Sequence, residues 1–135
     1  MLYNVPKFTG VELPVEAVGN LATHANIIGI KESSGDVGKI ALMVRGTPDD
    51  FQVLTGSASS FLSGLAVGAV GGIMALANIA ARPLAELLRF FQQGDFGRAA
   101  EIQRRLIAPN KAVTAKFGVP LAELAEEISH ESSVE

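Results

Sequence analysis

The sequence has no cysteine among its 135 residues, and this absence removes several kinds of chemistry. It excludes a disulfide framework, a thiolate metal site and a cysteine nucleophile. Histidine is scarce too, because His24 and His130 are the only two, and neither has partners at the spacing of metal ligands. We therefore predict no metal site, and the lack of cysteine fits a reducing compartment.

Charge is also sparse in this chain. Charged residues make up 19% of the sequence and the net charge is −3, with Arg104 and Arg105 the only adjacent basic pair. A nucleic-acid surface needs clustered Lys and Arg, so we predict no nucleic-acid partner. Hydrophobic residues reach 48%, which makes long disordered segments unexpected and allows one domain with a real core.

No stretch of the sequence has the pattern of a targeting or membrane segment. The N-terminus lacks a basic start, and Pro6 interrupts it early, so neither a signal peptide nor a transit peptide is predicted. The weakly polar stretch 61–81 contains four glycines, including the pair Gly71-Gly72. A buried helix followed by a buried strand explains it better than a membrane span. We predict a cytoplasmic protein, or a mitochondrial one if the source is a eukaryote, with no membrane partner.

Apolar runs alternate with amphipathic stretches along the chain. Four runs predict buried strands, each followed by a helix: 1–5, 27–31, 51–54 and 72–77. This alternation predicts an α/β fold with a parallel sheet and further helices after Gly94. The pattern fits either a small doubly wound sheet or half of a (β/α)8 barrel, and composition does not separate the two. We assign residues 1–128 to the domain and 129–135 to a polar tail.

The predicted strands end in polar side chains. In parallel α/β folds chemistry gathers at the C-terminal ends of the strands. Those ends present Tyr3, Lys31, the turn Thr55-Gly56-Ser57, and Asn78. An ammonium at the end of a buried strand is costly to desolvate, and such a lysine is either a surface lysine that reaches water or a Schiff-base nucleophile. Likewise, the tyrosine could pack at a strand end, and the Gly-Ser turn could serve backbone geometry alone.

Two stretches resemble the dihydrodipicolinate synthase and N-acetylneuraminate lyase superfamily. They are Tyr3-Asn4-Val5-Pro6 with Thr9-Gly10, and Gly29-Ile30-Lys31-Glu32 with Gly35-Asp36. Within it, the chain is most similar to 4-hydroxy-2-oxoglutarate aldolases. That similarity is carried by Phe51 to Ala58, Gly68 to Gly72, Ala75-Leu76-Ala77-Asn78, Leu106 to Asn110, and Phe117-Gly118-Val119-Pro120.

The resemblance implies a class I aldolase that needs no cofactor, built on a (β/α)8 barrel and assembled as a homo-oligomer. Lys31 would form a Schiff base with a small 2-oxo acid, and Tyr3 would move protons at the aldol oxygen. Ser33, Gly56 and Ser57 would contact the polar groups of the substrate. Asn78, at the end of its predicted strand, completes the predicted substrate-binding set.

Two departures from the superfamily pattern matter for substrate choice. Phe8 occupies the position where the synthase branch has an arginine that grips a distal carboxylate, which argues against the lysine-pathway synthase. No stretch resembles the family's Gly-Thr-Thr-Gly-Glu turn, which holds the substrate's carboxylate on an earlier strand. Since such barrels have about 250 residues, the chain looks like a C-terminal half barrel.

Two functional hypotheses follow from the sequence. The first is a Schiff-base aldolase acting through Lys31 and Tyr3, with synthase-type condensation as its alternative. The second is a catalytically incomplete half barrel that serves as an assembly module. An open half barrel leaves strand edges and an apolar inner face exposed, so we predict self-association.

Overall fold

The computed structural model describes residues 1–116, which form one parallel sheet packed against helices. The four strands are β1 (Leu2–Asn4), β2 (Gly29–Glu32), β3 (Gln52–Thr55) and β4 (Gly71–Gly72). They lie side by side in the order β1-β2-β3-β4. A doubly wound sheet reverses its strand order at a switch point. The order in this sheet is sequential, so it is consistent with part of a (β/α)8 barrel, which was one of the two predicted alternatives.

Six α-helices occur among the described residues. They are α1 (Pro6–Thr9), α2 (Val15–Leu21), α3 (Val37–Gly46), α4 (Phe61–Ala66), α5 (Ala77–Gln92) and α6 (Phe96–Lys111). A 3₁₀ turn at Ala58–Ser60 precedes α4, and a π-helical turn at Ala112–Lys116 follows α6. None of the helices in this part of the chain is long and apolar enough to cross a membrane.

The two faces of the sheet have different surroundings. Successive side chains of a strand point to opposite faces. On one side, here called the covered face, Ile30 and Val53 are buried against Val18 of α2 and Ile40 and Met43 of α3. The side bearing Tyr3, Lys31 and Leu54, called the open face, has no such layer of helices among residues 1–116.

A second core joins the C-terminal helices to the end of the sheet. Ala58, Phe61 and Leu65 pack with Leu84 and Leu87 of α5, and α6 contributes Ala99 and Leu106. Asp95 begins α6 as its N-cap, because its carboxylate accepts a hydrogen bond from the Arg98 N–H at 3.0 Å. This core holds the last described turns of the chain beside the C-terminal ends of the strands.

The fourth strand is much shorter than the sequence predicted. The prediction of a strand over 72–77 is wrong, since β4 ends at Gly72 and Ala77 already begins α5. Met74 and Leu76 are buried in the second core instead. A short apolar run fits a buried turn as well as a strand, which is why periodicity did not separate them. Helix α5 has a kink at Ala80 (φ −132°, ψ 38°).

Pro6–Thr9 form the short helix α1 directly after β1, and α6 continues through Pro109 to Lys111. The predictions that fall on residues 117–135, including the domain boundary at 128 and the polar tail at 129–135, lie outside the described residues.

Candidate active site

Tyr3 and Lys31 are direct neighbours on the open face of the sheet. They are register partners of the parallel pair β1–β2, so their side chains leave the sheet on the same side. The Lys31 Nζ lies 4.1 Å from the centroid of the Tyr3 ring. An ammonium at this distance is attracted to the face of the ring, which holds the two side chains together. The structure thus brings together the two residues predicted to be catalytic.

A cleft of about 330 Å³ opens at the C-terminal ends of the strands. Its walls include five of the six residues predicted to form the site: Tyr3, Lys31, Ser33, Gly56 and Ser57. A cleft of this volume is large enough for a small-molecule ligand. Strand-end topology had pointed to four of these residues, Tyr3, Lys31, Gly56 and Ser57, whereas Ser33 had come from the family resemblance.

Gly56 lets two turns of the cleft wall meet. A Cβ at this position would lie 1.8 Å from the Ser33 Oγ and 2.7 Å from the Ser33 Cβ, so no larger residue fits without moving Ser33. The Gly56 N–H donates to the Glu32 carbonyl at 2.7 Å, which joins the turn after β3 to the end of β2. The Ser33 hydroxyl oxygen is buried and has no hydrogen-bond partner among the described residues. A buried hydroxyl without a partner is uncommon in folded proteins.

Asn78 does not line the cleft. It lies exposed in the first turn of α5, and its side-chain amide donates to the Ala75 carbonyl at 3.1 Å. The strand that was expected to end at Asn78 stops at Gly72, and the displaced helix start carries the side chain away. Thr55, also at a predicted strand end, points to the covered face, where its methyl group meets Gly64 of α4.

The end of α6 and the turn after it supply a wall of the cleft that sequence reasoning missed. Asn110, Val113 and Thr114 line it, and the buried Asn110 amide donates to the Ser59 Oγ at 2.7 Å. Gln103, two turns earlier, accepts from the Leu62 N–H at 2.9 Å and donates to the Ala58 carbonyl at 2.8 Å. The only signal for Asn110 was its place in a family-like motif. No local pattern relates a residue on α6 to a strand end.

The short helix α1 lines the cleft beside Tyr3. Lys7 and Phe8 belong to its lining, and the Phe8 side chain is 76% exposed. The Lys7 Nζ lies 5.8 Å from the Phe8 ring centroid. The cleft therefore contains a second lysine, which any test of Lys31 has to control for.

The arrangement suits carbonyl chemistry at an amine. Lys31 offers a nitrogen nucleophile, the Tyr3 phenol can donate or accept a proton next to it, and Ser33 offers a hydroxyl. Within residues 1–116, no three His, Asp or Glu side chains lie close enough together to hold a metal ion.

Residues 1–128 match the family described as Dihydrodipicolinate synthetase. The chain belongs to that family. Its predicted membership of the superfamily is thus confirmed. The curated relatives are proteins named as synthases, and the particular similarity to 4-hydroxy-2-oxoglutarate aldolases stays a prediction.

The relatives are enzymes with synthase names. The chain is 41% identical over 107 residues to the 4-hydroxy-tetrahydrodipicolinate synthase of Erwinia tasmaniensis, an alignment that spans 79% of this chain and 37% of that protein. The family match covers residues 1–128 of the 135 residues in this chain.

Solved structures agree with the family assignment. A candidate dihydrodipicolinate synthase from Thermus thermophilus is 47% identical, with a TM-score of 0.84 over 92% of this chain and 43% of that one. A prophage protein of the family, YagE from Escherichia coli K12, solved in complex with pyruvate, is 30% identical with a TM-score of 0.82, covering 94% of this chain and 43% of that one. The chain thus spans less than half the length of the proteins to which it is similar.

Proposed function

We propose that this chain is the lysine-bearing part of a Schiff-base enzyme that makes or breaks a carbon–carbon bond next to a 2-oxo acid. One observation carries the proposal: Lys31 and Tyr3 are register partners, with Nζ 4.1 Å from the ring centroid, in the wall of a ligand-sized cleft. Family membership supports it, since the curated relatives are named 4-hydroxy-tetrahydrodipicolinate synthases.

In the proposed reaction the neutral amine of Lys31 adds to the ketone carbon of pyruvate, and loss of hydroxide from the resulting carbinolamine leaves an iminium. The hydroxide takes a proton from the neighbouring methyl group and becomes water, while the C–H electron pair moves toward the iminium to give an enamine. The enamine carbon then bonds to the carbon of an aldehyde, which restores the iminium and leaves an alkoxide. The Tyr3 phenol gives its proton to the alkoxide, and hydrolysis of the iminium frees the lysine and returns a proton to the phenolate. Reading the steps backwards gives cleavage by the same groups.

The names of the relatives favour synthase-type condensation as the reaction. The curated relatives, at 40% to 42% identity, are 4-hydroxy-tetrahydrodipicolinate synthases, and this supports the alternative weighed from the sequence over aldol cleavage. Cleavage of 4-hydroxy-2-oxoglutarate stays the second candidate for one reason. Phe8 is exposed at the cleft, in the position where the synthase branch has an arginine that binds a carboxylate. A phenylalanine cannot bind the distal carboxylate of a substrate in that way.

We propose that the chain corresponds to the C-terminal half of a (β/α)8 barrel, with residues 1–128 as one partial domain and 129–135 as a polar tail. The carboxylate-binding turn of the family would then come from the other half of a complete barrel. Without that half, the chain would be the assembly module of the second sequence hypothesis. A cytoplasmic location and self-association stay predictions. A monodisperse 14.1 kDa species in light scattering would contradict the latter.

Trapping with borohydride tests the function directly. The chain is incubated with pyruvate, reduced, and weighed by intact mass spectrometry. We expect one adduct that maps to Lys31 and is lost in Lys31→Ala. The matched control is Lys7→Ala, because Lys7 lines the same cleft on another element and should leave the adduct unchanged. An adduct that persists in Lys31→Ala would overturn the assignment.

The aldehyde partner is then assigned with two product assays. Formation of 4-hydroxy-tetrahydrodipicolinate supports the synthase reaction. Release of pyruvate from 4-hydroxy-2-oxoglutarate supports the aldolase reaction. Phe8→Arg restores the residue type of the synthase branch, and we expect it to shift the balance toward condensation.

A further inference from the structure

Glu32 follows Lys31 in β2 and points to the opposite, covered face. Its side chain is fully buried, and the whole residue is 1% exposed. A buried carboxylate is strongly unfavourable unless several donors surround it. The partners that satisfy this carboxylate therefore show what it does.

Three donors surround the Glu32 carboxylate. The Asn4 Nδ2 donates to Oε2 at 2.7 Å, and the Ser34 backbone N–H donates to Oε1 at 2.6 Å. The Lys39 Nζ of α3 lies 3.6 Å from Oε2 and is also bonded to Glu12. Asn4 in turn accepts from the Leu13 N–H at 2.9 Å, so the network reaches the segment after α1.

Glu32 and its two hydrogen-bond partners, Asn4 and Ser34, each directly follow a residue that lines the cleft. Asn4 follows Tyr3 in β1, Glu32 follows Lys31 in β2, and Ser34 follows Ser33 in the turn after β2. The hydrogen bonds thus join, from behind the sheet, the three backbone segments whose neighbouring side chains form the cleft wall. A shift of either bond would move a cleft residue relative to Lys31.

We propose that Glu32 is a positioning residue, whose buried carboxylate sets the placement of Tyr3 and Ser33 around Lys31. This inference rests on the proposed function of the same site. A misplacement of about 1 Å between reacting groups can cost on the order of 100-fold in rate. A bond network behind the sheet is therefore enough to decide how well the amine and the phenol cooperate.

The variant Glu32→Gln tests the proposal. A glutamine has one acceptor oxygen and a donor NH₂ group, so it cannot satisfy both Asn4 and the Ser34 N–H. Per folded molecule, and at saturating pyruvate, we expect borohydride trapping to fall by about tenfold or more. Glu12→Gln is the matched control. It also removes a carboxylate from Lys39, but Glu12 has no bond to β1 or to the turn after β2, and trapping should not change.

A second readout does not depend on catalysis. The chain has a single tyrosine, so its ring signals in NMR belong to Tyr3 alone. The 4.1 Å separation predicts a nuclear Overhauser contact between that ring and the Lys31 side chain. We expect the contact to weaken in Glu32→Gln and to persist in Glu12→Gln. A merely structural role would lower the unfolding temperature of Glu32→Gln without changing the contact in the folded protein.

The outcomes separate this inference from the proposed function. Unchanged trapping per folded molecule in Glu32→Gln, with the contact intact, would overturn it. If the unaltered chain itself traps no pyruvate, the proposed function fails, and the contact alone decides whether Glu32 positions Tyr3. If Glu32→Gln does not fold, Asn4→Ala removes the bond to β1 while leaving Glu32 beside Lys39. A contact that stays intact in Asn4→Ala would then overturn the proposal.

Discussion

The two faces of one sheet carry different properties of this protein. On the covered face, Ile30 and Val53 are at most 1% exposed and pack against helices, whereas Tyr3 on the open face is 53% exposed. Ile30 and Lys31 are adjacent in sequence, yet one belongs to the core and the other to the cleft. Because successive side chains of a strand point to opposite faces, residues that stabilise the core alternate with residues that line the cleft.

The polar exceptions on the covered face sharpen this comparison. Asn4, Glu32 and Thr55 are buried there, and all three lie at the C-terminal ends of their strands, level with the cleft. Buried polar groups cost free energy unless they are paired. The presence of three such residues at the strand ends beside the cleft therefore needs an explanation. Glu32 and Asn4 are explained by the network that joins the cleft segments.

The largest expected difference in stability is between alanine variants of the adjacent residues Ile30 and Lys31. Ile30→Ala should lower the free energy of unfolding by about 3 kcal/mol, because it leaves a cavity in a fully buried site. Lys31→Ala should change it by no more than about 0.5 kcal/mol while it abolishes pyruvate trapping. Urea denaturation followed by circular dichroism measures both. Equal destabilisation by the two variants would break the distinction between the faces.

Gly56→Ala should affect both stability and the cleft. The new methyl group would collide with Ser33, so we expect a loss of about 1–3 kcal/mol and slower trapping of pyruvate. Gly97→Ala is the control, because a Cβ there would meet nothing closer than 3.8 Å, on the first turn of α6. It should be neutral or stabilising by up to about 1 kcal/mol. A Gly56→Ala variant as stable as Gly97→Ala would contradict the close contact.

Gln103→Ala tests whether α6 supports the cleft. The change removes the bonds to the Leu62 N–H and the Ala58 carbonyl, at a cost of about 1 kcal/mol. Thermal unfolding measures it, with Gln93→Ala as control, since Gln93 makes only an exposed 3.4 Å contact with Arg89. If the two variants melted at the same temperature, the support from α6 would be negligible.

The smallest effect concerns Asp95, the N-cap residue of α6. Hydrogen bonds from the backbone and then the side chain of Arg98 lower the pKa of Asp95 below its usual value near 3.8. The native state therefore favours the charged form, and its stabilisation is complete above the unfolded pKa and is lost as pH falls through the native pKa. Asp95→Asn keeps a capping oxygen.

We expect the melting temperature of the unaltered chain to fall slightly more than that of Asp95→Asn between about pH 5 and pH 3. The comparison is made at matched ionic strength. Parallel curves for the two proteins would show that the cap acts without its charge.

Much of the site was predictable because it depends on strand ends. Lys31 was found from a buried apolar run that ends in a charged residue, and Gly56 and Ser57 from the turn after the next strand. The prediction for Asn78 was wrong for the same reason that the predicted fourth strand was too long. Apolar residues 73–77 satisfy a buried turn as well as a strand, and only packing against α5 decides between them.

By itself the sequence determined the parallel α/β architecture, the family, and the lysine and tyrosine of the cleft, because each leaves a local pattern or motif. Tertiary structure alone decided three things: that Asn110 lines the cleft, that Ser33 contacts Gly56, and that Glu32 joins the cleft segments from behind. The physical reason is distance along the chain. Asn4 and Glu32 are 28 residues apart, and Ser59 and Asn110 are 51 apart, so no local periodicity can relate them.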